Sequence, residues 1–348
     1  MLIGILSFAV VFTFIALSHE GGHFFFAKLF GVKVFEFGIG FGKRLFSITR
    51  GDTTYSINLF PVLAFVRIAG EGESEEEKAC SPDQLLINKT TFQRFMIAFA
   101  GPMLNVICAV IILSILFSFS GVPAGVSNEI GMINKNSPAE KAGLLVGDKI
   151  ISINNIKVAT MERSIEYIHA YKGKNLLLSV QRGDKMVSVS AQPTYNSKLK
   201  VHLIGFSPKP FYTKVNILQA IGSAFSQTYI MVASTLAVVF MLFTGAVSIS
   251  DLAGPVGIAQ ITGKYAQTGL ISLVFFTAFI SVNIGIINLL PLPALDGFSI
   301  LFRLFEGISR RKINSTLENK INGYGLVVLL GFMFLVTIND ILRLFTSR

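Results

Sequence analysis

The sequence predicts a polytopic membrane protein, mainly α-helical, with four transmembrane helices, a membrane-associated β element and an inserted α/β domain. Three observations carry that expectation. Of the 348 residues, 52% are hydrophobic and 14% charged, a balance outside that of ordinary soluble domains. Uncharged runs at 1–18, 95–119, 215–250 and 270–295, and a last one from Gly323 to Ile338, approach or exceed the ~20 residues that cross a hydrocarbon core. Residues 126–206 differ in character: charges return, and Gly, Asn and Asp punctuate short apolar segments.

The net charge of +10 belongs to this architecture and not to nucleic-acid binding. Its residues sit beside the apolar runs, as with Lys28, Lys33, Lys43 and Arg44, then Arg303, Arg310, Arg311 and Lys312. Cationic loops flanking spans mark the cytoplasmic side. The expected surroundings are a lipid bilayer. Cys80 and Cys108 offer neither a disulfide framework nor a thiolate metal site.

Residues 1–27 form the first transmembrane helix. The segment lacks the basic start and small-residue cleavage site of a signal peptide, so it is expected to be retained. It carries His19-Glu20-Gly21-Gly22-His23. Histidines four apart on a helix share one face and can hold one ion. The glutamate between them is placed to act as general base on a water at that ion. Glycines in a helix interior cost about 1 kcal/mol each; here they permit close helix packing or leave room beside a metal.

Residues 28–92 follow as a cytoplasmic-side, membrane-associated β region and loop. From Val34 to Val66 the chain alternates, is rich in β-branched and aromatic residues, and is broken by glycines, which predicts short strands and hairpins. Gly38, Gly40 and Gly42 before Lys43 do not make a phosphate loop, because the spacing and the surrounding βαβ pattern are missing. The acidic run Glu71 to Lys78 reads as a solvated loop.

The second transmembrane helix is expected over 93–120 and contains Gly101-Pro102-Met103-Leu104-Asn105. Residues 125–207 then read as a PDZ domain. Ser137-Pro138-Ala139-Glu140-Lys141-Ala142-Gly143-Leu144 through Gly147-Asp148-Lys149-Ile150-Ile151-Ser152-Ile153-Asn154 is a helix, a turn and a strand. Domains of this kind bind extended peptides at a sheet edge. Residues 208–268 are expected as a membrane-surface helical region, 269–308 as the third transmembrane helix, and 309–348 as a basic loop and the fourth.

A catalytic zinc has three protein ligands and one open position. Of the four histidines, His169 and His202 lie in or beside the inserted domain, so the third ligand of a membrane site should be a carboxylate. Asp296, in Asn288-Leu289-Leu290-Pro291-Leu292-Pro293-Ala294-Leu295-Asp296-Gly297, is the best placed. Pro291 and Pro293 break the helix before it, and irregular backbone at membrane depth needs a protein or wet surrounding. The competing reading is that Asp296 N-caps a helix over 297–307.

The pentad, the PDZ phrase and Asn288 to Gly297, in this order, resemble the site-2 protease family, in its regulator-of-sigma-E protease branch. Phe37–Gly42, Gly101-Pro102 with Asn105, and Gly254-Pro255-Val256-Gly257-Ile258 extend the likeness over nearly the whole chain. The resemblance implies an intramembrane zinc endopeptidase, with His19, His23 and Asp296 binding Zn2+ and Glu20 as catalytic base. Asn288, Pro291 and Pro293 match an element that helps hold substrate. Strands around Ser56–Val66 match one that receives substrate as a strand, although Pro61 to Val66 stands where paired glycines are common. Phe298 likewise replaces a usual second glycine. The implied partners are single-span membrane proteins trimmed beforehand, such as anti-sigma factors, or remnant signal peptides, screened by the PDZ domain through their bulk or their C-termini. Close relatives often have two PDZ domains; there is room here for one.

All ligands must meet at one depth. The basic loop after His23 puts that end of the first helix on the cytoplasmic side, the second helix returns outward, and the PDZ domain lies outside. Asp296 comes back to the histidines only if 215–250 does not add a crossing, so that stretch is expected to pack on the membrane surface or dip in. A metal-ion carrier would leave Glu20 and the PDZ domain unexplained, and a catalytically dead scaffold would not keep the full ligand and base set.

Overall fold

The computed structural model describes residues 2–70, 75–197, 200–247, 252–311 and 313–346. Part of the acidic run (71–74), the end of the 215–250 stretch (248–250) and Lys312 of the basic segment lie outside the described residues. Two units are present, Met1–Phe119 with Ile217–Arg348, and Ser120–Asn216.

In the first unit, α1 (Leu2–Leu29) leads into β1 (Val34–Arg50) and β2 (Thr53–Ile68); a single turn, α2 (Glu75–Lys78), precedes α3 (Thr91–Ser120). The insert comprises β3 (Val122–Ile133), α4 (Pro138–Lys141), β4 (Lys149–Ile153), β5 (Ile156–Lys157), α5 (Met161–Ala170), β6 (Leu176–Arg182), β7 (Lys185–Ala191), β8 (Thr194–Asn196), β9 (Val201–Leu203) and β10 (Phe206–Thr213). The first unit resumes with α6 (Ile217–Phe243), α7 (Pro255–Thr268), α8 (Leu270–Asn288), α9 (Asp296–Ser309) and α10 (Ser315–Thr346).

Among the described residues, five helices, α1, α3, α6, α8 and α10, are long and apolar enough to cross a membrane. The sequence reading expects four, and α6 is the addition. Most of their side chains are not buried against protein, as for helices whose solvent is lipid.

Packing contacts define two levels along the first unit. In α1, Gly4 touches Gly263 and Ala259 of α7, and His19 lies fifteen residues, or about 22 Å, along the helix. In α10, Asn322 bonds Ala294 near His19's level, while Asp340 Oδ2 accepts the Gly257 N–H of α7 at 2.7 Å. Those α10 residues are about 27 Å apart along the helix. Thus α7 packs at the far end of both helices, capped at its N-terminus by an aspartate from another helix. The small residues Ala220 and Ala224, with Thr228, Met231 and Thr235, form the buried face of α6. This face packs along α8, and Thr235 donates to Asn283 Oδ1 at 2.6 Å, five residues from the α8 C-terminus. Gly254 lies at the far level, where it touches Val336 and Asp340 of α10.

β1 and β2 are longer than the short strands the sequence suggests. Glu36 to Ile39 are paired on both sides, with Arg67 to Ala64 and with Thr54 to Ile57. Glu36 is buried and accepts from Ser56 Oγ and Arg44, and Asn58 donates to the Gly40 carbonyl, so the inner polar groups are satisfied. Outer residues such as Phe41, Leu45, Phe46, Phe60 and Leu63 are exposed and apolar. Thr13 of α1, six residues before His19, donates to the Pro61 carbonyl, which sets the β element alongside α1. Leu63 adopts φ +70, the left-handed conformation that glycine takes most readily.

The insert is an antiparallel sheet in the order β10-β3-β4-β6-β7, with β5 against β4. Val122 pairs with Thr213, so the domain extends beyond the expected 125–207 limits. Ile130, Ile150, Ile153, Leu176, Leu178 and Val180 fill its core; the last three lie on the period-2 face of β6, and a register shift in β4 turns both Ile150 and Ile153 inward. Ser137 caps α4 by accepting the Glu140 N–H, and Glu140 accepts the Asn136 N–H in return. Asp148 is buried and accepts from Leu145 N and from Arg182 Nε and Nη2. The Arg182 bonds hold its carboxyl below the usual aspartate range.

Candidate active site

The pentad lies inside α1, and its histidines project together because they are four residues apart. Helix α3 crosses at this point. A β-carbon on Gly22 would lie 2.3 Å from the Ala100 carbonyl oxygen, and one on Gly101 would lie 2.3 Å from His23 Nε2. Both glycines are therefore required by close approach, and the helices meet backbone to backbone.

The crossing sets the imidazoles. His23 Nδ1 donates to the Ile97 carbonyl at 2.8 Å, which leaves Nε2 unprotonated and free to ligate. His19 Nδ1 faces the Asn105 amide at 3.3 Å. The amide nitrogen is drawn there, while Asn105 Oδ1 is buried without a partner. Oxygen and nitrogen of an amide are assigned from the network. Turning the group places Oδ1 on Nδ1–H and gives His19 the same tautomer as His23, with the amide nitrogen taking the position of Oδ1.

Asp296 arrives from the other side of the cleft as the first residue of α9. The cap position of that helix is Leu295, with no side-chain cap bond, so the N-capping alternative does not describe it. Its carboxylate turns to the histidines instead, with Oδ2 3.0 Å from His19 Nε2 and Oδ1 3.6 Å from His23 Nε2. The two Nε2 atoms are 3.3 Å apart. Oδ2 is buried without a well-formed hydrogen bond. Three donor atoms so converge, all within 4.8 Å of one another. A tetrahedral zinc with bonds of about 2.0–2.1 Å has ligand–ligand edges of about 3.3–3.4 Å. The donor set and its spacing fit that ion.

Glu20 lines the same cleft. The cleft, about 790 Å³, is also lined by Val66, Ile68, Asn288, Asp296, Ser299 and Asn322. Of the substrate-positioning candidates, the structure brings Asn288 to this cleft. Pro291 and Pro293 are not among its lining residues; Pro293 packs against Gly325 of α10. His169 lies on α5, and His202 meets Tyr195 at a tilt within the insert.

Sequence reasoning missed the polar wall beyond Asp296. Arg94 of α3 pairs with Glu306 at 3.1 Å, Arg303 with Glu306 at 3.0 Å, and Arg303 with Glu318. All four are buried or nearly so, and their charges balance, as buried charges require. Charges three apart in α9, amid apolar neighbours, were the available signal.

The sequence pattern of peptidase family M50 matches residues 7–332. A protein of Clostridium acetobutylicum is 37% identical over 98% of this chain and 97% of its own length. One of Clostridium perfringens is 33% identical over 96% and 97%; the names of both place them among zinc metalloproteases. Zinc metalloprotease RasP of Shouchella clausii is 28% identical over 98% of this chain and 99% of its own. Among solved structures, the PDZ domain of an SdrC-like protein from Listeria monocytogenes aligns with 24% of this chain and 90% of that one, at 23% identity and a TM-score of 0.22.

Proposed function

The chain belongs to peptidase family M50 as a zinc metalloprotease of the site-2 type, and we propose that it hydrolyses peptide bonds within transmembrane segments of other membrane proteins. The observation that carries this reading is the convergence of His19, His23 and Asp296 donors at 3.0–3.6 Å beside Glu20, on helices apolar enough to lie in a bilayer.

When bound there, zinc supplies Lewis acidity and lowers the pKa of a coordinated water to ~7. Glu20 takes the proton from the attacking water and delivers it to the leaving amine. Ile97 and Asn105 hold the two imidazoles, so the ligand atoms are in place before substrate arrives.

A helical peptide bond is shielded by its own hydrogen bonds, so substrate must unwind to be cut. The β2 arm that lines the cleft through Val66 and Ile68 offers a strand-addition surface for the unwound segment, with Asn288 opposite. Single-span proteins trimmed on the far side, including anti-sigma factors and remnant signal peptides, suit such a site. Residues 120–216 are read as a PDZ domain that screens them by bulk or by a new C-terminus.

We read α1, α3, α8 and α10 as four spans. The chain descends along α6 and returns to the far level before α7, which leaves the parity of crossings unchanged and brings Asp296 back to the histidines. The positive loops after α1 and α9 then lie on the cytoplasmic side of a bacterial plasma membrane, with the insert outside.

The test is Glu20→Gln in cells carrying a membrane-embedded reporter. Zinc content should persist and cleavage should stop; cleavage at the wild-type rate would overturn the mechanism.

A further inference from the structure

We infer that Asn322 of α10 is a positioning residue for Asp296, holding the loop before it through the one backbone N–H that the loop cannot satisfy itself. The inference rests on the reading of Asp296 as a metal ligand.

Between Leu289 and Leu295 the loop is nearly self-contained. Leu289 N and Leu290 N donate to Ile286 O and Ile287 O, Leu292 N to Leu290 O, and Leu295 N to Leu292 O. Pro291 and Pro293 have no N–H to place. Ala294 remains, and its N–H donates to Asn322 Oδ1 at 3.1 Å. Ala294 is also held at φ +71, a region that a residue with a β-carbon occupies at a cost. Its conformation is imposed from outside, and it lies two residues before Asp296.

Neighbouring contacts on α10 support this role. Gly325, three residues on, accepts Pro293 so closely that a β-carbon there would lie 2.2 Å from the Pro293 β-carbon. Glu318, four residues before, accepts from Ser299 Oγ at 3.3 Å and pairs with Arg303. Positions 318, 322 and 325 share one helical face. That face therefore grips the chain before Asp296, beside it and after it. A polar residue that merely faced the wet cleft would have no reason to meet the single unsatisfied loop N–H.

The experiment follows release of Zn2+ from full-length, zinc-loaded protein in detergent to a chromogenic chelator. It compares wild type, Asp296→Ala, Asn322→Leu and Asn322→Asp. Asn322→Leu removes the acceptor at similar volume and should release zinc about tenfold faster, the low end for outer-shell changes. Asn322→Asp keeps an acceptor oxygen and should stay near wild type. Retention by Asn322→Leu at the wild-type rate overturns the inference, and so does release by Asn322→Asp as fast as by Asn322→Leu. If Asn322→Leu does not accumulate, Asn322→Ser, too short to reach Ala294, takes its place under the same criteria. Wild-type retention by Asp296→Ala would instead defeat the ligand reading itself.

Discussion

Gly101 stands so close to His23 that a β-carbon on it would lie 2.3 Å from the imidazole Nε2. The absence of a side chain on α3 is therefore what allows α1 to present both histidines to Asp296. Three of the atoms in conflict belong to the His19 and His23 rings, so relief must come from the ligands or the helix backbones.

Gly101→Ala should accordingly lower activity by roughly 100-fold, the scale of an ångström-sized misplacement at a reacting centre. Membrane insertion should be unaffected, because alanine is as apolar as the helix around it. Reporter cleavage and zinc content checked together suffice. A variant with normal zinc content and normal cleavage would show that the helices part without consequence.

Asn105 offers a sharper test of tautomer control. With the amide turned, Oδ1 accepts His19 Nδ1–H, so Asn105→Leu should weaken zinc binding by about 10- to 100-fold. Asn105→Asp keeps the acceptor and should bind more tightly than Asn105→Leu. Competition with a chelator of known affinity gives the values. Equal affinities for the two variants would remove Asn105 from the role.

In the insert, Asp148 couples stability to pH. Its folded-state pKa is depressed, chiefly by the Arg182 hydrogen bonds, so the folded form binds this proton less readily than the unfolded form. The contribution is present above the unfolded pKa of about 3.9 and is lost as pH falls through the lower folded value. Asp148→Ala should destabilise the insert by roughly 2–3 kcal/mol at neutral pH and flatten its acid dependence below about pH 4. Limited proteolysis of the full chain between 120 and 216, across pH, reads both effects. An unchanged acid profile in the variant would assign that dependence to other groups.

The crossing count is open to cysteine labelling in a background without Cys80 and Cys108. Lys33→Cys and Arg311→Cys should label from the cytoplasmic face, and Lys172→Cys only from the opposite one. Labelling of the first two from different faces would mean an odd number of crossings between them.

The legible part of the fold was what local periodicity and composition encode. The histidine spacing was readable because a helix turns i and i+4 onto one face. Asp296 was readable because prolines at 291 and 293 end a long apolar run just before it. The strands of the insert coincide with short apolar segments between Gly, Asn and Asp turns. The reading of α6 as lying on the membrane surface or dipping into it rests on the parity of crossings and not on local pattern. The apolar residues of α6 run all round the helix, and such a helix carries no periodic signal for depth or partner. The long β1 and β2 arms escaped for a related reason: two-sided pairing of Glu36 to Ile39 is a property of the sheet and not of either strand.

The sequence by itself determined the groups available to this protein: two imidazoles and two carboxylates, in or beside long apolar segments. Only the tertiary structure decided how those groups are held. The Ile97 carbonyl, Asn105 and Asn322 come from segments 74, 86 and 28 residues away from the groups they bond. Hydrogen-bond partners so remote leave no mark on local pattern, because they exist only after the helices have crossed.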